Sequence, residues 1–220
     1  MTQPPRLIAI GDIHGHDTAL RSLLEWIDPA ACDTIVSLGD YVDRGPQPAG
    51  VVDCLLQLQR SCRLIPLLGN HEWMMLATYY HRAELPFWLA CGGDSTLRSY
   101  GGSLDNVPDA HMDFFGQCHR YYETDRHFFV HANYDPLHDL SDQRDHVLLW
   151  QHLTHQIPGP HQNGKVALVG HTPQVSGDVL DLGHLLCIDT YCFGGKWLTA
   201  IDAESRQVWQ VDPNGTRRTG

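Results

Sequence analysis

The stretches GDIHG at Gly11–Gly15, GDYVDRG at Gly39–Gly45 and GNHE at Gly69–Glu72 decide how this chain is read. Each follows a short apolar run: Leu7–Ile10, Thr34–Leu38 and Arg63–Leu68. Glycine, acid and imidazole directly after a β-branched run mark a polar loop leaving a buried strand. After the first loop, Leu20, Leu23, Leu24 and Ile27 fall at i, i+3, i+4 and i+7, which predicts a helix starting near Asp17. After the second, Pro46 to Arg60 carries Val51, Val52, Leu55 and Leu56 and predicts another. Strand, loop and helix in alternation mean parallel strands with polar loops at their carboxyl ends, where α/β folds bind ligands.

Further along, Phe128–His131 and Lys165–Gly170 read as strands ending at a histidine. From His184 onward the helices stop, and Leu185–Asp189, Trp197–Asp202 and Gln207–Val211 predict a closing antiparallel meander. Residues 79–120, rich in Tyr, Trp, Gly and Pro, predict a helical and looped lid inserted over the strand ends. No repeat or linker divides the 220 residues, so 1–220 read as a single domain.

The largest apolar runs are far shorter than the ~20 residues a membrane span needs. No basic, apolar leader precedes Asp12. With 26 acidic against 15 basic residues and a formal charge of −11, a nucleic-acid groove is disfavoured. Seven scattered cysteines without a CxxC pair argue for reduced thiols and a cytoplasmic protein. Fifteen histidines point instead to metal ligation and proton transfer.

Asp12 and His14 are one residue apart, so an extended loop can turn both to one side as an oxygen and a nitrogen ligand. Asp40 stands at the equivalent place one strand later and can bridge two cations with its two oxygens. Asn70, an amide oxygen, occupies the third such place. Cys54 and Arg60 have the Cys-x5-Arg spacing of cysteine-dependent phosphatases. However, Leu55, Leu56 and Leu58 put this stretch in a helix whose N–H groups are already used, so Cys54 reads as a buried helical thiol.

The three blocks together resemble the phosphoprotein phosphatase branch of the calcineurin-like metallophosphoesterases, whose signatures GDxHG, GDxxDRG and GNHE come in this order. His131 in FVHAN, His171 in VGHTP, the Trp88–Gly101 segment and Ile188–Asp202 extend the likeness over nearly the whole chain. The resemblance implies an α/β sandwich of two mixed sheets flanked by helices and a phosphoester hydrolase with two divalent metals, Mn²⁺ foremost, with Fe or Zn²⁺ as other options. It implies that Asp12, His14 and Asp40 bind one ion, and Asp40, Asn70, His131 and His171 the other, with a hydroxide between them as nucleophile. His71 would protonate the leaving oxygen, Asp43 would orient that imidazole, and Arg44 would clamp the phosphate.

One departure bears on substrate. In protein phosphatases of this branch an arginine follows a Leu-Trp pair; here Leu148–Leu153 reads LLWQHL, which puts His152 in its place as a candidate phosphate contact. HAN also replaces HAG, and Cys91 stands where NGG is usual. The expected substrate is a phosphorylated protein or peptide. A dinucleoside polyphosphate is the alternative, with Trp88, Tyr100 and Tyr134 as residues that stack a base or form the insertion's small core. A catalytically silent metal-binding domain is the remaining reading. Asp189 and Thr190 are expected to brace the site from below.

Overall fold

A computed structural model describes residues 4–81 and 84–219. Among the described residues, ten strands form two five-stranded sheets. β1 (Leu7–Ile10), β2 (Thr34–Ser37) and β3 (Arg63–Pro66) are parallel, while β9 (Leu198–Asp202) and β10 (Val208–Val211) extend that sheet antiparallel in the order β10-β9-β1-β2-β3. The second sheet has the order β4-β5-β6-β8-β7. Its parallel centre is β5 (His127–Val130), β6 (Val166–Val169) and β8 (Leu185–Cys187), with antiparallel edges β4 (Tyr121–Glu123) and β7 (Leu180–Asp181).

Strand alternation sorts the core into three layers. Ala9, Val36, Ile65, Phe129, Leu168 and Leu186 meet between the sheets. Their neighbours Ile8, Ile10, Ile35 and Leu64 face outward beneath helices α1 (Asp17–Ile27), α2 (Pro48–Leu58) and α3 (Asn70–Tyr80). Phe128, Val130, Ala167 and Val169 face the other way, under Leu148 and Leu149 of a later helix, Asp145–Trp150. On α1 the residues Leu20, Leu23 and Ile27 are buried, each worth about 1.5–3 kcal/mol of apolar transfer. Asp28, left-handed at φ 47°, ends that helix by returning its N–H to the Leu24 carbonyl.

The expected closing meander is corrected in part. β9 and β10 form its hairpin, but β8 lies in the other sheet, parallel to β6. Leu185 and Cys187 are buried on one face of β8 and Leu186 on the other, the pattern of a central strand rather than a half-exposed one.

The insertion is helical. α4 (Leu85–Trp88) runs through a wide turn at Leu89–Gly93 into α5 (Asp94–Ser99), followed by α6 (Asp109–Gly116). These elements join the core under α2 and α3: Trp88, Tyr100, Phe114 and Phe115 are buried in it. His111 on α6 links Tyr100 Oη (2.9 Å) to Asp53 on α2 (3.1 Å). Among the described residues, no helix is long and apolar enough to cross a membrane, and all seven cysteines are free thiols.

Candidate metal centre and catalytic cleft

The site gathers at the carboxyl ends of five parallel strands. Asp12 and His14 follow β1, Asp40 to Arg44 follow β2, and Asn70 and His71 open α3 after β3. His131 follows β5 and His171 follows β6, so strand ends of both packed sheets contribute to this one site. Among the described residues, eight other than glycine adopt positive φ, and five of them are His14, Asp40, Asp43, Arg44 and His171. Each costs about 1–3 kcal/mol, so strain is concentrated where the chemistry lies.

Glu72 holds much of that strain in place. Fully buried, its carboxylate accepts the backbone N–H groups of Asp40 (2.8 Å), Tyr41 (2.7 Å), Val42 (3.1 Å) and Gly69 (3.0 Å). Burial, with Asp40 nearby, pushes its carboxyl up to about 8. Gly69 passes so close to Asp40 that a Cβ would stand 2.2 Å from the carboxylate; at Gly170 a Cβ would stand 2.1 Å from Asp12. Glycine is required at both places.

Asp40 is the hub. Its Oδ2 lies 3.3 Å from His14 Nε2, and its Oδ1 lies 3.4 Å from His131 Nε2. Two compact donor groups result: His14, Asp40 and His71; and Asp40, His131 and His171. Asn70 Oδ1 approaches His131 Nε2 at 3.1 Å and completes the second. Against the cost of burial, the imidazoles of His131, His71, His14 and His171 hold the Asp40 carboxyl well below its ordinary value.

Three of these imidazoles are each oriented by a backbone carbonyl, which can only accept. His14 Nδ1 donates to Val42 (3.0 Å), His131 Nδ1 to Leu38 (2.8 Å) and His171 Nε2 to Trp150 (3.2 Å). The opposite ring nitrogen of each is therefore the lone-pair nitrogen, as a metal ligand requires. Burial lowers His14 and His131, and burial together with His131 lowers His171 to about 3, so these rings stay neutral. Asp12 instead turns both oxygens to the backbone N–H of His171. Burial, Asp189 and Asp40 raise its carboxyl well above the usual range. Buried carboxylates, an amide oxygen and neutral imidazoles without a thiolate fit divalent Mn, Fe or Zn.

Beside the hub, His71 Nδ1 donates to Asp43 Oδ2 at 2.6 Å. Burial disfavours charge on His71, but Asp40 and Asp43 outweigh it and raise its pKa. The Arg44 guanidinium lies 3.0 Å from both His71 Nε2 and His14 Nε2 and stacks 4.0 Å above the Phe193 ring. His152 packs its ring 4.2 Å from that of His171 and lines the same cleft, about 320 Å³, with Arg44, Asn70, Cys91 and Trp150. Burial and His155 lower the His152 pKa, which favours its neutral form.

Asp189 and Thr190 are buried beneath: Asp189 Oδ1 accepts the Tyr191 N–H (3.1 Å) and Thr190 Oγ1 donates to the Trp197 carbonyl (2.7 Å). Trp88, Tyr100 and Tyr134 all prove to be core residues, and Cys54 is buried on α2. Sequence reasoning passed over Glu72 and Phe193. Glu72, three residues after the loop glycine, has the spacing of an acid that caps a helix start, and that was its available signal. Phe193 had none.

Clustered oxygen and imidazole donors at the strand ends, beside a His–Asp pair and an arginine, are the groups that a metal-dependent phosphoesterase would use. Residues 5–196 match the model of the calcineurin-like phosphoesterases, and the chain belongs to that family, whose members use a dinuclear metal site. It is 45% identical over 85 residues to a symmetrical bis(5'-nucleosyl)-tetraphosphatase of Paracidovorax citrulli, a match over 36% of this chain and 28% of that protein. It is 27% identical over 194 residues to serine/threonine-protein phosphatase 2 of Escherichia coli, covering 85% and 83%. Among solved structures it resembles a putative diadenosine tetraphosphatase (TM-score 0.71, 21% identity, 94% and 93% covered). A cold-active protein tyrosine phosphatase of Shewanella is also similar (0.69, 18%, 99% and 80%).

Proposed function

We propose that the chain is a cytoplasmic, dinuclear-metal-dependent phosphomonoesterase acting on phosphorylated proteins. The carrying observation is the His71–Asp43 pair, whose His71 Nε2 meets the Arg44 guanidinium at 3.0 Å and lies 4.0 Å from the Asp40 hub. Asp12, His14 and Asp40 would hold one ion, and Asp40, Asn70, His131 and His171 the other. Manganese is the expected metal. Two bound cations supply Lewis acidity and lower the pKa of water, which furnishes a nucleophile at neutral pH.

The rest falls to the side chains. Arg44 offers a planar two-pronged donor to phosphate oxygens, held in place by Phe193. Asn70 and His152 give further neutral contacts from the cleft wall. His71, whose pKa Asp40 and Asp43 raise against the cost of burial, would deliver a proton to the leaving oxygen from Nε2, while Asp43 fixes the ring by its grip on Nδ1. Similarity to the Escherichia coli phosphatase over most of the chain supports a phosphoprotein substrate.

A dinucleoside polyphosphate is the second reading, favoured by aromatic rings beside the cleft. Trp150 lines it, Trp73 meets Trp150 edge-on at 5.8 Å, and Phe87 lies 6.4 Å away; Trp73 and Phe87 are 42% and 51% exposed. Such rings stack on a nucleobase. The two readings separate in kcat/KM of the Mn²⁺-loaded protein on a phosphoserine peptide and on diadenosine tetraphosphate, with a metal-stripped control. Faster metal-dependent turnover of the peptide is expected; preference for the dinucleotide assigns the second reading.

A further inference from the structure

The Asp43 carboxylate is completely enclosed, and its partners come from one part of the chain besides His71. Oδ2, which takes the His71 Nδ1–H, also takes the indole N–H of Trp88 at 2.8 Å. Oδ1 takes the Thr96 hydroxyl at 2.6 Å, and that same hydroxyl oxygen accepts the Asp43 backbone N–H at 2.9 Å. Asp43, Trp88 and Thr96 are all at 0% exposure. Both donors belong to the helical insertion, on α4 and α5.

The turn between these helices is shaped around the same loop. Gly92, at φ 107°, accepts the Arg44 N–H through its carbonyl (3.2 Å), and a Cβ on it would stand 3.0 Å from the Arg44 side chain. A Cβ on Gly93 would come within 2.5 Å of the Trp88 indole. The indole is thus fixed flat against backbone, and its N–H has one direction open to it.

We propose that Trp88 and Thr96 are positioning residues for the proton donor: they clamp the Asp43 carboxylate, which keeps His71 Nδ1–H on Asp43 and His71 Nε2 on the cleft. This rests on His71 being the proton donor. A carboxylate that lost one of these donors would turn in its pocket or recruit water, and the imidazole it aims would turn with it. The insertion is then part of the acid machinery as well as a wall of the cleft.

The test uses the full chain labelled with ¹⁵N-histidine. A proton in a 2.6 Å hydrogen bond to a carboxylate resonates far downfield, and His71→Gln identifies the signal by abolishing it. Trp88→Phe and Thr96→Val, which keep bulk and remove one donor each, are expected to shift this resonance upfield or broaden it by exchange with water. Thr96→Ser keeps the hydroxyl and is expected to restore it.

In the metal-loaded protein, the two variants are expected to lose at least about tenfold more kcat on an alkyl phosphate, whose alkoxide needs a proton, than on 4-nitrophenyl phosphate. KM and metal content stay unchanged. An unmoved resonance in both variants, or equal losses on the two substrates while His71→Gln discriminates between them, overturns the positioning role. If His71→Gln does not discriminate, the proton-donor reading fails and the proposal falls with it.

Discussion

Both carboxylate oxygens of Asp12 face the backbone N–H of His171, at 3.2 and 3.0 Å, across 159 positions of chain. The contact joins the end of β1 in one sheet to the end of β6 in the other. It also buries a carboxylate among others, which has a consequence for stability.

Without cations, the folded protein is expected to lose stability as pH rises from about 6.5 to about 8. Burial raises Asp12 and takes Asp189 to about 7, so the folded state holds protons that the unfolded chain has released. Stability from such groups is lost as pH climbs through their folded pKa. The lowered histidines act in the opposite sense only below their ordinary 6.5, and Asp40 only in acid. Urea unfolding of chelator-treated protein should therefore show a fall of more than about 1 kcal/mol across this window, reversed by Mn²⁺. A flat profile would mean these carboxylates are ordinary.

Glu72→Gln is expected to cost about 2–3 kcal/mol, because an amide cannot accept four N–H groups and turns a donor toward them. Asp40 would lose its fixed backbone, so metal affinity should fall along with the melting temperature. Retention of full affinity by a destabilised variant would make Glu72 a folding residue only.

Asn70→Ala and His71→Ala, adjacent in sequence, are expected to differ. The first should lose one metal equivalent by mass analysis. The second should keep both and lose about 10²-fold or more in kcat on substrates with poor leaving groups. Metal loss in His71→Ala would contradict the division of roles, and its place in the donor group with His14 and Asp40 makes this a demanding comparison.

The candidate ligand loops were legible because residue type and backbone pattern coincide in them: Gly11–Gly15, Gly39–Gly45 and Gly69–Glu72 each follow a buried strand. The face of α1 was legible from its 3.6-residue period. β4 and β7, three and two residues long, carry no period to read. The crossing of β8 between sheets depends on what covers its two faces, which lies outside its own sequence. Trp88 could be placed in a core by its size, but its grip on Asp43 spans 45 positions and exists only in the fold.

Asp40 is proposed to join two cation sites that together hydrolyse phosphoesters. Titrating chelator-stripped protein with Mn²⁺ while following phosphate release tests it most directly. Activity is expected to rise to a plateau at two equivalents per chain in the wild type and to be absent at any equivalent in Asp40→Ala. Saturation at a single equivalent, or an active Asp40→Ala, would contradict it.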